Sequence, residues 1–108
     1  MKMRTLKTSF GDIQVTFEAE YYAENNNLFI SIIFWEDGEG EFWNDLTINL
    51  GKCDKNCGFI NTKANGPKII EWIIVNGLGY LTGRIKNVDY CEYPEILFVD
   101  SFIKEIGC

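Results

Sequence analysis

Apolar and polar positions alternate most regularly between Ile13 and Tyr22. Ile13, Val15, Phe17, Ala19 and Tyr21 take one side, and Gln14, Thr16, Glu18, Glu20 and Tyr22 the other. That period of two predicts a strand with one face buried and carboxylates on the other. Lys2 to Ser9 predicts a weaker strand before it, and Ser9-Phe10-Gly11-Asp12 a turn in which Gly11 takes positive φ. Leu28 to Trp35 is apolar on both faces, with Leu28, Ile30, Ile32 and Phe34 opposite Phe29, Ser31, Ile33 and Trp35. Such a strand is central, covered on both sides or carrying a partner surface. Asp37-Gly38 predicts a tight hairpin. The returning strand, Phe42 to Leu50, should point Leu46, Ile48 and Leu50 inward and Trp43, Asp45, Thr47 and Asn49 outward.

The period then changes. Gly51 to Asn61 predicts a loop with a short extended piece at Gly58-Phe59-Ile60. Pro67 suits the first position of a helix, and Ile69, Ile70, Ile73 and Ile74 form its apolar stripe. β-branched residues are mediocre helix formers, so a strand competes there. Asn76-Gly77-Leu78 decides for a helix, because Gly77 fits a left-handed cap with Leu78 packing back. Leu81 to Tyr93 has no clear period and predicts irregular chain. Glu95 to Val99 predicts a last strand, and Asp100 a cap for a short helix carrying Phe102, Ile103 and Ile106. A run of strands followed by a helix predicts class α+β. The expected architecture is one domain over residues 1–108. It has an antiparallel sheet of about five strands, one main helix at about 67–76 on a face, and a short C-terminal helix.

Composition adds that the core can stand alone. The chain has 108 residues, 46% of them hydrophobic, enough to fold without disulfides or metal. The N-terminal segment is basic but lacks the apolar run of a signal peptide. The apolar run Leu28–Trp35 is too short to cross a membrane. The expectation is therefore a cytoplasmic protein with no membrane partner, whose Cys53, Cys57, Cys91 and Cys108 are thiols.

Charge changes the picture more. Between Thr8 and Gly51 lie nine acids and no base: Asp12, Glu18, Glu20, Glu24, Glu36, Asp37, Glu39, Glu41 and Asp45. The remaining residues hold seven acids and ten bases, so the net −6 is −9 in one block and +3 elsewhere. The acidic half is thereby excluded as a direct nucleic-acid ligand. The chain has no histidine, which excludes a His base, a His metal ligand and a His pH switch.

Each candidate for chemistry has a plainer competitor. Cys53-x-x-x-Cys57 with Cys91 and Cys108 has the residue types of a four-thiolate zinc site, and Lys52 and Lys55 favour thiolates. Only one close pair exists, however, and unrelated loop thiols fit as well. Asn76 to Gly83 superficially suggests a phosphate loop. It follows a helix instead of opening one, so a cap and turn is the better reading. Cys91 as nucleophile, with Asp89, Glu92 or Glu95 for acid–base work, lacks an orienting partner by spacing. No enzyme and no cofactor is expected. Asp37 to Glu41 offers oxygens for calcium without the twelve-residue loop pattern. Arg84, Lys86 and Tyr90, near Tyr80 and Tyr93, form a short basic-aromatic segment that a plain surface loop explains equally.

The acidic block is the strongest candidate. Glu18 and Glu20 fall on one solvent face. Glu36, Asp37, Glu39 and Glu41 crowd a hairpin tip, Asp45 leads outward from it, and Trp35 and Trp43 flank it. Aromatic anchors within steering charges suit a protein–protein contact. A partner with a basic nucleic-acid channel is the natural complement, because carboxylates can occupy phosphate sites. The competitor is a solvated acidic face with both tryptophans packed inside. Either way the chain is a monomer or a dimer, the first strand being the edge suited to pairing.

Phe59-Ile60-Asn61-Thr62, Asn76-Gly77-Leu78-Gly79, Thr82-Gly83-Arg84 and Cys91-Glu92-Tyr93-Pro94 carry a resemblance. The chain resembles, along nearly its whole length, a small domain-of-unknown-function family carried by phages, plasmids and conjugative elements of gut and Gram-positive bacteria. Arg4, Thr5, Thr8, Ser9 and Gly11 match the opening of that family approximately. The resemblance implies no catalytic residue and no cofactor. It implies a setting, the accessory genes of mobile DNA, where short acidic proteins often inhibit host defence as anti-CRISPR proteins or DNA mimics. The functional expectation is a non-enzymatic acidic inhibitor of a host nucleic-acid-handling defence protein such as a nuclease. Glu18, Glu20, Trp35, Glu36, Asp37, Glu39, Glu41, Trp43 and Asp45 would form the contact. The alternative is a metal-stabilised accessory or regulatory protein of a mobile element.

Overall fold

Eight strands and three short helices follow one another in a computed structural model that describes residues 2–107. The strands are β1 (Arg4–Thr8), β2 (Gly11–Tyr21), β3 (Leu28–Glu36), β4 (Glu39–Asp45), β5 (Thr47–Ile48), β6 (Cys57–Ile60), β7 (Gly79–Val88) and β8 (Cys91–Phe98). The helices are α1 (Thr62–Asn65), α2 (Ile69–Val75) and α3 (Asp100–Glu105). All pairings are antiparallel, in a four-stranded meander ordered β1-β2-β3-β4 and a second sheet ordered β5-β6-β8-β7. The class is α+β, as expected. A single five-stranded sheet with one main helix is not what forms.

The meander follows its sequence closely. Thr8 pairs with Gly11 around Ser9-Phe10, and Gly11 takes φ 108°. Glu36 pairs with Glu39 around Asp37 (φ 52°) and Gly38 (φ 79°), the two left-handed residues of a type I′ hairpin. The alternation of β2 and β3 sends Val15, Phe17, Leu28, Ile30 and Ile32 to a common core. That core is closed by Ile69 and Ile73 of α2, by Phe102 and Ile103 of α3, and by Ile96 and Phe98 of β8. Phe17 packs edge-on to Phe102, with ring centres 5.5 Å apart. Each such large side chain removed from water contributes about 1.5–3 kcal/mol.

Three differences from the sequence expectation have physical causes. The return strand is broken, because β4 ends at Asp45 and Thr47 starts a strand of the other sheet. Thr47 is buried, not outward, and its hydroxyl accepts the Ile30 N–H at 3.1 Å. The helix is shorter than 67–76, because Gly66 to Lys68 form a turn, with Ile70 N–H donating to Pro67 O at 3.3 Å, before α2 begins. A separate turn, α1, is capped by the Asn61 side chain, which accepts from Ala64 N–H. The stretch expected to be irregular is a hairpin of β7 and β8, turning at Asp89 (φ 48°) and Tyr90 (φ 68°).

The stop of α2 is as expected. Leu78 N–H donates to Ile73 O and Gly77 N–H to Ile74 O, both at 3.0 Å, with Gly77 at φ 69°. This is the Schellman pattern, and it accounts for Gly77, while a Cβ on Gly79 would come within 2.5 Å of Ile96 Cγ2 on the neighbouring strand. Asp100 begins α3 but does not cap it; its carboxylate accepts from Asn56 Nδ2 at 2.8 Å.

Candidate functional site

The two sheets turn their inner faces to the same core and differ outside. The register of the meander places Gln14, Thr16, Glu18 and Glu20 of β2 beside Trp35, Ile33, Ser31 and Phe29 of β3 on the outer face. Phe42 and Asp45 of β4 extend the rows at Ile33 and Ser31. The face therefore holds an apolar strip, Phe29, Ile33, Trp35 and Phe42, crossed by a row running Glu18, Ser31, Asp45. Phe42 is 61% exposed. Trp35 lies flat and half-buried. Its Nε1–H donates to Thr16 Oγ1 at 2.8 Å, and a Cβ on Gly40 would come within 2.9 Å of its ring. Gly40 is thus the residue that lets the indole settle on the strand. Tyr22 stacks on Phe29 at 4.8 Å and 7°. Burial first, and the nearby carboxylates of Asp45 and Glu24, push its phenol up.

No carboxylate of the acidic block is neutralised by an ion pair among the described residues. Glu18, Glu20, Glu36, Asp37, Glu39 and Glu41 are exposed, and Asp45 is half-buried, accepting a long 3.4 Å bond from Ser31 Oγ. The structure brings these carboxylates and Trp35 to one face and its hairpin tip.

Trp43 departs from the expectation. The ladder shifts between Ile32 and Ile33, so Ile33 faces Phe42, Ile32 faces Asn44 and Trp43 is the extra residue. A bulge of this kind inverts the side on which a residue falls. Trp43 packs on the core and against Phe34, with ring centres 5.7 Å apart. Phe42 takes the outward position instead. The sequence signal for this was the pair Phe42-Trp43 itself, two aromatics of which only one can face out.

The second sheet is covered over part of its outer face, while Tyr80, Val88 and Leu97 on that face stay exposed. The chain after β5, Asn49 to Cys53, packs against it, held by Asn27, whose Nδ2 donates to Gly51 O at 2.6 Å and whose Oδ1 accepts Cys53 N–H at 2.9 Å. Beneath lie Cys53, Cys57, Phe59 and Tyr93, a second small core edged by Ile48, Leu50 and Cys91. Glu95 is only 2% exposed there. Thr82 Oγ1 donates to it at 2.6 Å and Arg84 Nη1 at 3.1 Å, while the guanidinium lies 5.3 Å from the centre of the Phe59 ring. Burial, then the Glu95 carboxylate, pushes the Cys53 thiol up to about 12, and Cys57 is raised for the same reasons. These are protonated, weakly nucleophilic thiols. Cys91 stands at the rim of this cluster. Cys108 lies outside the described residues. Among the described residues no three acids or cysteines are grouped to hold a metal. Of the basic-aromatic segment, Arg84 is spent on Glu95 and Tyr93 is buried, leaving Tyr80, Lys86 and Tyr90 outside. Glu95 as the sink of this network was not visible in the sequence.

No helix among the described residues is long and apolar enough to cross a membrane. Residues 16–107 match the family described as a domain of unknown function, DUF4313. No curated protein and no solved structure is significantly similar to the chain.

Proposed function

The chain belongs to the DUF4313 family, and from that premise we propose that it is a non-enzymatic, cytoplasmic binding protein that docks a basic protein surface on the outer face of the meander. The observation that carries this is the composition of that face. Phe29, Ile33, Trp35 and Phe42 form an apolar strip with Glu18, Glu20 and Asp45 beside it and Glu36, Asp37, Glu39 and Glu41 at its tip, all without compensating cations among the described residues. The fixed indole is an anchor whose ordering cost is already met, and the exposed phenylalanine offers a second anchor beside it. Unpaired carboxylates around them raise the encounter rate with a cationic partner and reject an anionic one.

The partner is a nucleic-acid-handling protein whose phosphate-binding lysines and arginines these carboxylates occupy. The resemblance to families of mobile elements makes a host defence nuclease the target, so the chain would act as an anti-CRISPR or DNA-mimic inhibitor carried by phage or plasmid. Trp43 is not part of the contact, because it serves the core. The raised thiols of Cys53 and Cys57 and the engaged carboxylate of Glu95 support a non-catalytic role.

The test is capture from host lysate with the immobilised chain and with a Glu18→Lys/Glu20→Lys/Glu41→Lys variant of unchanged circular dichroism. The proposal expects a protein that double-stranded DNA elutes from the first and that the variant does not retain. Equal retention by the variant, with the same salt dependence, would contradict it.

A further inference from the structure

A sheet offers unpaired backbone groups at its edges, and folded chains normally blunt them. Three of the strands next to solvent here are blunted. On β1, pairing from the Thr8–Gly11 turn alternates so that the Thr5 carbonyl faces outward, and Trp72 Nε1–H donates to it at 2.9 Å. One acceptor on the outer edge of the first strand is thereby covered. On β4, α1 stands against the C-terminal end, with Asn65 Nδ2 donating to Asp45 O at 3.0 Å, and Glu39 and Glu41 charge the rest. β5 is two residues long and lies beside β3, with Leu46 N–H donating to Ile30 O.

β7 is different. It ends the second sheet, runs ten residues, and among the described residues no strand or helix pairs with its outer side. From the Val88–Cys91 closing pair the ladder alternates, so the N–H and C=O of Asn87 and Ile85 point to the open edge. A bulge between Leu81 and Ile85 interrupts its ladder, and its exposed side chains are mixed, with Tyr80, Leu81, Ile85 and Val88 among Thr82, Arg84, Lys86 and Asn87. Leu81 and Ile85 stand on the side of Ile96 and Pro94, and Pro94 borders a shallow groove with Pro67 and Ile70. Tyr80, Lys86 and Val88 stand on the side of Leu97, Tyr93 and Cys91. Ile85 is 51% exposed, a position that an edge strand left in water rarely gives to isoleucine.

We propose that β7 is a docking edge for an extended segment of a partner protein, added as a ninth strand, in which apolar residues alternate with carboxylates. The alternation follows from the edge. Apolar side chains of the incoming strand would lie beside Leu81 and Ile85, and carboxylates would face Lys86. A second β7 opposes like charges in two of its three registers, and the third, Asn87 with Asn87, sets Lys86 opposite Val88 and leaves it without a carboxylate. Pairing Ile85 with Asn87 of another copy sets Lys86 opposite Lys86, and pairing Ile85 with Ile85 sets Arg84 opposite Lys86. Like charges directly opposed destabilise a strand pair.

The probes are two seven-residue peptides, one alternating Val and Glu and one alternating Val and Lys, titrated into the full chain. The proposal expects the Val/Glu peptide to slow amide exchange at Ile85 and Asn87 at least about tenfold at saturation. It expects Lys86→Glu to weaken that binding by about tenfold and the Val/Lys peptide to bind at least about tenfold more weakly. Ile85→Pro removes an outward donor without touching the β7–β8 ladder and should abolish binding; Lys86→Glu keeps the test open if that variant does not fold. Equal binding of the two peptides, or unchanged exchange at Ile85 and Asn87 under saturating Val/Glu peptide, would overturn the proposal. So would a peptide-free dimer in sedimentation that already protects those amides, since a second copy would then be the occupant.

Discussion

The outer faces of the two sheets make a controlled comparison within one chain. Both sheets have four antiparallel strands, both rest on the same core, and both place carboxylates and aromatics on the side away from it. Over part of the second sheet, the loop from Asn49 to Cys53 supplies a roof, and Glu95 is buried with Thr82 and Arg84 as partners. Over the meander there is no roof among the described residues, and seven carboxylates at the face and its tip are left without cations. The difference teaches where charge is structural and where it is available. A buried carboxylate must be neutralised locally to be tolerated. An exposed one stays solvated without a local partner, at the small cost of repulsion from its neighbours, and keeps its field for a ligand.

The comparison can be broken hardest at its aromatics. Phe59→Ala empties the small core beneath the roof and should cost about 3–5 kcal/mol, whereas Phe42→Ala on the bare face should cost within about 0.5 kcal/mol. Urea unfolding of the two variants reads both. A smaller effect separates the charges. Arg84→Ala leaves the Glu95 carboxylate short of its cation and should destabilise by about 1–3 kcal/mol, the half-exposed guanidinium keeping the loss below that of a fully buried pair. The Glu18→Lys/Glu20→Lys/Glu41→Lys variant should match the parent or exceed it slightly, because it relieves like-charge repulsion.

The thiols sharpen the contrast further. In a Cys108→Ser background, Cys91 should react with a disulfide reagent at pH 8 well before Cys53 and Cys57, which should follow unfolding. Because the folded Cys53 keeps its proton up to about 12 while the unfolded thiol loses it near its usual value, its contribution to stability is complete below that value. It declines as pH rises toward 12. The smallest effect lies at acid pH. Arg4, which makes paired bonds to Glu105, one of them 2.8 Å, holds that carboxyl below its usual range. Its contribution is therefore present above the ordinary carboxylate value and fades as pH falls through the lowered one. Arg4→Ala should flatten the acid limb of a stability–pH curve slightly.

Much of the meander could be read in advance because its signals are local. The alternation of β2, the left-handed Asp37-Gly38 and the Gly77 stop each act within a few residues. The bulge that turns Trp43 inward leaves no trace in the alternation, since either neighbour of an extra residue can take the outward place. The β7–β8 hairpin escaped for a related reason. Leu81, Ile85 and Val88 are exposed, so no face is selected for burial, and the turn uses Asp89-Tyr90 without a glycine. Glu95 was visible only as one acid among several. Its burial depends on Thr82, Arg84 and a loop stapled by Asn27, partners set together by topology. The acidic face, by contrast, was legible from charge order alone, apart from the exchange of Trp43 for Phe42.

The most direct test of the central claim asks which face touches the partner. A photo-crosslinking phenylalanine analogue is placed at Phe42 on the bare face and, separately, at Lys104 on the exposed side of α3. Each protein is then irradiated in host lysate with and without excess double-stranded DNA. The account predicts a discrete adduct from position 42 that DNA suppresses and none from position 104. An adduct from position 104 alone, or one at position 42 indifferent to DNA, would contradict it.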